Sequence, residues 1–236
     1  MTAPLVRMEN VTVRFRGAQV VHAVNGVSLT LEAGQVLGIL GESGSGKSVT
    51  LKTLLRLLPE SRTDIGGTVE VDGRDVLALN PQELADYRGA VTSMIFQDPA
   101  LALDPVYTVG EQIAEAIIRH AKVSHSAAMA RALELLELVR IPSPARRLKA
   151  YPHEMSGGMR QRAMIALALA AKPKLLLADE PTTALDATVQ IQILLLLRQL
   201  QRDMGMGMLF VTHDIGVAVE VSDRLAVMYA GQIVET

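Results

Sequence analysis

The chain has 236 residues, 49% of them hydrophobic, with a formal net charge of −2 and no cysteine. That length suits one domain with room for a subdomain, and the composition excludes disulfides and cysteine-ligated metals. A near-neutral chain without a basic block also argues against nucleic acid as its main partner. The longest apolar run, Ala163 to Ala171, falls far short of the roughly 20 residues that span a bilayer. The N-terminus carries Arg7 and Glu9 but no apolar segment, so no signal peptide is expected. Absence of cysteine fits the cytoplasm. Eleven methionines and no tryptophan suggest an adaptable aliphatic core or contact surface.

In chain order, residues 5–15 alternate (Val11, Val13 and Phe15 against Thr12 and Arg14) and predict a strand with one wet face. Ala23 to Leu31 predicts another, and Val36 to Leu40 a short buried one. Val49 to Leu58 has helical spacing and stops at Pro59. Gly66-Gly67 and Asp72-Gly73 bracket a hairpin strand, Thr68 to Val71. Asn80-Pro81 caps and opens a helix to Arg88. Val91 to Phe96 predicts a strand ending at Gln97-Asp98-Pro99. The middle is helical. Thr108 to Glu111 is a capping box opening a helix to His120, and Met129 to Val139 carries Leu133, Leu136 and Val139 on one stripe. Gly158 to Ala171 follows after the break at Ile141 to Pro144. A buried strand (Lys174 to Ala178), a helix from Ala187 to Arg202 capped by Asp186, a strand (Met206 to Thr212), a helix (Asp214 to Val221) and strands at Arg224 to Tyr229 and Gln232 to Glu235 complete the chain. Strands alternating with helices in the second half imply a largely parallel sheet. The expected fold is α/β: a core at 1–97 and 166–236 with an inserted α-helical subdomain at about 98–165.

One stretch carries explicit chemistry. Gly41-Glu42-Ser43-Gly44-Ser45-Gly46-Lys47-Ser48 is a complete G-x-x-x-x-G-K-[ST] pattern between a predicted strand and a predicted helix. The glycines let successive N–H groups curl toward phosphate oxygens, and the helix N-terminus adds its positive end. Lys47 is expected on the β- and γ-phosphates and the Ser48 hydroxyl on Mg²⁺. The chain is therefore expected to bind a nucleoside triphosphate.

Leu175 to Glu180 places two carboxylates at the C-terminal end of a buried strand, the end where parallel sheets bind ligands. Asp179 is positioned to hold Mg²⁺, and Glu180 to polarise an attacking water. Ser156-Gly157-Gly158 before a helix makes a second anion nest, from one hydroxyl, glycine N–H groups and the helix start.

In this order the motifs resemble those of the ATP-binding subunit of an ABC transporter, over the whole chain. The resemblance implies a P-loop NTPase core with an N-terminal antiparallel β subdomain, and ATP with Mg²⁺ as ligands. Met155-Ser156-Gly157-Gly158-Met159 stands where the family has Leu-Ser-Gly-Gly-Gln; Met159 removes any amide contact there and leaves the Ser-Gly-Gly nest. By the same resemblance Gln97 is the Q-loop glutamine, sensing Mg²⁺ and the membrane partner. Ala184-Leu185-Asp186 is the D-loop, His213 the switch histidine on the γ-phosphate, and Phe15 a candidate for adenine stacking. Ser156, Gly157, Gly158 and Asp186 would contact ATP held by an opposing subunit.

Asp104 to Ile113, Pro152 to Arg162 and Pro181 to Gln190 are further similar to bacterial importers of di- and oligopeptides and of nickel. That family implies two membrane-spanning permease subunits, a second ATPase subunit (identical or related) arranged head to tail, and an extracytoplasmic binding protein, with no nucleic acid. The chain would then sit peripherally at the cytoplasmic face of the bacterial inner membrane. The loop from Asp98 to Val109, with Pro99, Pro105 and exposed-looking Leu101, Leu103 and Tyr107, would dock a permease helix. Members usually continue past the Gly231 region, so a shortened chain is expected here. Nickel or glutathione import is the alternative, and a soluble ABC ATPase acting on DNA or ribosomes a more distant one.

Overall fold

The computed structural model describes residues 3–183 and 185–236, with the side chain of Leu101 outside the description. Ala184 of the expected D-loop therefore lies outside the described residues. In chain order the elements are β1 (Val6–Phe15), β2 (Val21–Leu31), β3 (Val36–Leu40), α1 (Lys47–Leu54), β4 (Thr63–Val71), β5 (Arg74–Asp75), α2 (Pro81–Ala90) and β6 (Thr92–Ile95). There follow α3 (Val109–Ala121), α4 (His125–Leu138), α5 (Pro144–Arg147), α6 (Gly157–Leu169), β7 (Leu175–Asp179), α7 (Ala187–Met204), β8 (Gly207–Thr212), α8 (Ile215–Val221), β9 (Arg224–Tyr229) and β10 (Gln232–Glu235). They form two compact units. One comprises residues up to Ala85 with Gln201–Thr236, and the other Asp86–Leu200. The helical segment expected at 98–165 lies within the second unit, which also takes in β6 and β7.

In the first unit, β2-β1-β4-β5 form an antiparallel sheet. Alternation buries Val6, Met8, Val11 and Val13 on one face of β1. The period slips once between Met8 and Val11, where Asn10 takes φ 48 and a bulge restores the apolar side to the core. The unit's other strands run β10-β9-β3-β8, with β9, β3 and β8 parallel and β10 antiparallel at the edge. Every residue of β8 is buried, as a central parallel strand requires.

Helix α1 is shorter than the spacing predicts. It ends at Leu54 because Arg56 turns left-handed (φ 48) and the N–H of Leu57 reaches back to the Lys52 carbonyl at 3.0 Å. This is a Schellman ending with arginine where glycine is usual. The Arg56 guanidinium is held by the Leu79 carbonyl at 2.6 Å and by Glu60 at 2.7 Å.

Helix α2 opens as expected: Asn80 Oδ1 accepts from the N–H of Gln82 and Glu83, and Glu83 answers the Asn80 N–H. Its last turn is broken at Arg88 and Gly89 (φ 95). A Cβ on Gly89 would stand 2.5 Å from His120 Nε2, so the imidazole of α3 lies directly on the glycine. Burial and the neighbouring Arg119 hold the His120 pKa below its ordinary value, Asp86 opposing. The unfolded chain thus takes the proton more readily, and this packing weakens as pH falls below about 6.5. Gly89→Ala is expected to destabilise the chain by about 1–3 kcal/mol in thermal melts, through overpacking and the positive φ. An unchanged melting temperature would show that His120 gives way.

The rest of the second unit is helical around the parallel pair β6 and β7. Helices α3, α4 and α6 pack together over Ile113, Ile117, Ala128, Ala132, Leu136 and Ile165. Leu133, expected on the same stripe, is only half-buried. Thr108 caps α3 by accepting from the Glu111 N–H at 3.3 Å. The Glu111 carboxylate does not return the bond and pairs with His125 at 2.9 Å instead, so half of the expected capping box forms.

Candidate active site

Strand β3 is buried from Val36 to Ile39 and delivers the chain into the Gly41–Ser48 loop. Two glycines there answer to close neighbours. A Cβ on Gly41 would meet the Met228 carbonyl at 2.3 Å, and one on Gly46 (φ 104) the Ala23 carbonyl at 2.5 Å. The loop is tied down further by the Gly231 N–H donating to the Ser45 carbonyl at 2.9 Å. Lys47 is 4% exposed, and its Nζ donates to the carbonyls of Gly41 at 2.7 Å and Glu42 at 2.8 Å. The N-cap of α1 is Gly46, which supplies no side-chain cap. The Ser45 hydroxyl is buried without a hydrogen-bond partner. A curled backbone, a positive helix end, an ammonium folded over the loop and an orphaned hydroxyl together fit an anion rich in acceptor oxygens. That is the chemistry of a triphosphate.

Two other expected residues belong to this unit. Phe15 ends β1, half-buried, paired with Val21 and Thr63. His213 follows β8 and is exposed, and the next residue, Asp214, caps α8 by accepting from Gly216 and Val217.

The second unit gathers the carboxylates. Asp179 ends β7 at 4% exposure. Glu180 takes φ 45, a left-handed conformation that a residue with Cβ adopts only under local constraint. Its Oε2 accepts from the Thr183 hydroxyl at 3.0 Å and lies 3.5 Å from Gln97 Nε2, the outer limit of a hydrogen bond. Gln97 and Glu180 are thus brought side by side, and Asp179 precedes Glu180 at the end of β7. Among the described residues, no three of His, Asp and Glu form a metal cage. Mg²⁺ does not need one, since it keeps waters and substrate phosphates as ligands.

Ser156 caps α6, its Oγ accepting from the Met159 N–H at 3.3 Å. Met155 is 4% exposed, which explains an apolar residue there. Gly158 is fixed by packing: a Cβ would lie 2.9 Å from Val189 Cγ1. Asp186 caps α7 through Val189 N–H at 3.0 Å, as predicted. In the loop from Asp98 to Val109 one expectation fails. Leu103 is 3% exposed and belongs to the core, while Val106 and Tyr107 are exposed at 72% and 59%. The proline-rich spacing concealed this, because one turn of 3-10 helix at Pro99–Leu101 rotates Leu103 inward. Sequence reasoning also missed Thr183 and Gln161. Gln161 is 2% exposed and donates Nε2 to the Pro181 carbonyl.

A glycine-rich phosphate loop between a parallel strand and a helix defines a P-loop nucleotide-binding protein of the α/β class. A family model described as ABC transporter matches residues 24–183. The chain belongs to the ABC transporter family, as an ABC-type ATPase. It is 53% identical, over 98% of its length and 70% of the other, to a Sinorhizobium fredii protein named "Probable peptide ABC transporter ATP-binding protein y4tR". It is 50% identical to the oligopeptide transport ATP-binding protein OppD of Bacillus subtilis, over 98% of this chain and 65% of that one. Among solved structures it is similar to the ATP-binding cassette MJ0796 in a dimeric post-hydrolysis state bound to ADP and Pi. There the TM-score is 0.86 and the identity 32%, over 98% of this chain and 97% of that one. No helix of the described residues is long and apolar enough to cross a membrane.

Proposed function

We propose that this chain hydrolyses ATP to energise import of di- or oligopeptides by a membrane complex. The observation that carries the reading is about 50% identity, along nearly the whole chain, to relatives named for peptide and oligopeptide transport. Lys47 and the loop N–H groups bind the β- and γ-phosphates, with Gly41, Glu42, Ser43, Gly44, Ser45 and Gly46 forming the cradle. Phe15 stacks on adenine. Ser48, Asp179 and Gln97 are the oxygen donors suited to Mg²⁺, which when bound neutralises charge developing on the phosphates. Glu180 accepts a proton from the attacking water and His213 contacts the γ-phosphate.

Ser156, Gly157, Gly158 and Asp186 serve ATP bound to an opposing ATPase subunit, head to tail. The dimeric state of the related cassette supports that arrangement. Two permease subunits receive the motion at the segment bearing Val106 and Tyr107, whose exposed side chains suit docking. An extracytoplasmic protein supplies the cargo, and the chain works at the cytoplasmic face of the inner membrane.

The test is ATP turnover of the complex reconstituted in lipid with its permeases and binding protein. Di- and oligopeptides are expected to raise turnover several-fold, and free amino acids to leave it unchanged. Stimulation by nickel or glutathione alone would overturn the peptide reading.

A further inference from the structure

The Glu180 turn is held by two contacts from residues outside the catalytic motifs. Glu180, Pro181, Thr182 and Thr183 form one tight turn, closed by the Thr183 N–H on the Glu180 carbonyl at 3.2 Å. Pro181 and Thr182 are buried, so the turn is set into the protein. Within it the backbone of Glu180 is left-handed, with φ 45. Such a conformation persists only where the surroundings over-determine it.

Two side chains bond to this turn. The Thr183 hydroxyl has one proton to donate, and it goes to Glu180 Oε2 at 3.0 Å. This bond holds Oε2 toward the turn. Gln161 reaches from α6 and donates to the Pro181 carbonyl, one residue beyond Glu180. Its amide is 2% exposed, and a buried donor that loses its acceptor is costly, so the contact is a firm anchor for the turn.

We propose that Thr183 and Gln161 are positioning residues for the Glu180 carboxylate, so that helix α6 aligns the base on its own chain. The proposal rests on the reading of Glu180 as the base. Its consequence concerns the two roles of α6. The first turn of that helix is a stiff unit: Ser156 caps it, Arg160 Nη1 donates to the Met155 carbonyl at 2.7 Å, and Gly158 packs against Val189. Gln161 lies one turn further along. Gln161 therefore ties the helix that begins at Ser156-Gly157-Gly158 to the turn that carries Glu180.

The experiment compares Thr183→Val, Thr183→Ser, Gln161→Leu and Glu180→Gln in the full chain, at protein concentrations that support turnover. It measures kcat, KM for ATP and ATP-driven dimerisation. Thr183→Val removes the donor at nearly constant volume and is expected to lower kcat about tenfold or more, because a misaligned base loses orientation. KM should change by less than about twofold and dimerisation should persist. Thr183→Ser keeps the hydroxyl and should restore most of kcat. Gln161→Leu should reproduce the Thr183→Val pattern.

A Thr183→Val variant with wild-type kcat beside an inactive Glu180→Gln variant overturns the positioning role alone. Parallel loss of kcat, ATP binding and dimerisation in Thr183→Val, unrescued by serine, assigns the contact to stability and also overturns it. Normal turnover by Glu180→Gln removes the base itself, and the proposal with it.

Discussion

Replacing Glu180 by glutamine should abolish steady-state ATP turnover while leaving ATP binding and ATP-driven dimerisation in place. The substitution keeps the shape of the side chain and an oxygen that the Thr183 hydroxyl can still donate to at Oε2's position. The turn that holds Glu180 at φ 45 depends on backbone bonds and on Gln161, neither of which changes. What is lost is the ability to accept a proton from water. General bases contribute about 10²–10⁴-fold, so residual turnover should fall below about 1%. Phosphate release measured with light scattering in ATP separates the two effects. Hydrolysis at the ordinary rate would eliminate Glu180 as the base.

Lys47→Ala acts one step earlier, on binding. The Nζ of Lys47 is buried and bridges the Gly41 and Glu42 carbonyls, so it shapes the loop as well as carrying its charge. Alanine removes a charge-assisted donor to phosphate and releases two loop carbonyls. Hydrogen bonds to charged groups are worth about 1.5–3 kcal/mol each, so ATP affinity should fall by about 10²-fold or more. The fold should survive, because Gly41 and Gly46 stay packed against the Met228 and Ala23 carbonyls and α1 keeps the Thr50 N–H bond to the Gly46 carbonyl at 2.9 Å. Calorimetric titration with ATP is the measurement, and unchanged affinity would refute the role given to Lys47.

These two residues were legible in the sequence because their chemistry is local. Lys47 sits at a fixed step from the glycines that shape its loop, and Glu180 follows a short apolar run that predicts a buried strand. The helix starts at Asn80, Ser156, Asp186 and Asp214 were legible for the same reason: each cap bonds an N–H two or three residues away. Family membership followed from the order of such local motifs.

Contacts between distant residues were not legible. The end of α1 at Leu54 depends on Arg56 being held in a left-handed turn by Leu79 and Glu60. The break in α2 depends on His120, some thirty positions later, resting on Gly89. Leu103 reads as a surface residue until the turn before it rotates the side chain inward. The phosphate loop, the carboxylates at the end of β7 and the caps of the helices are each set by neighbours along the chain, and so were readable from residue order. The bonds of Thr183 and Gln161 to the Glu180 turn emerge only from the folded chain. Their bonds require a left-handed Glu180 and a buried amide arriving from another helix, and neither leaves a trace in residue spacing.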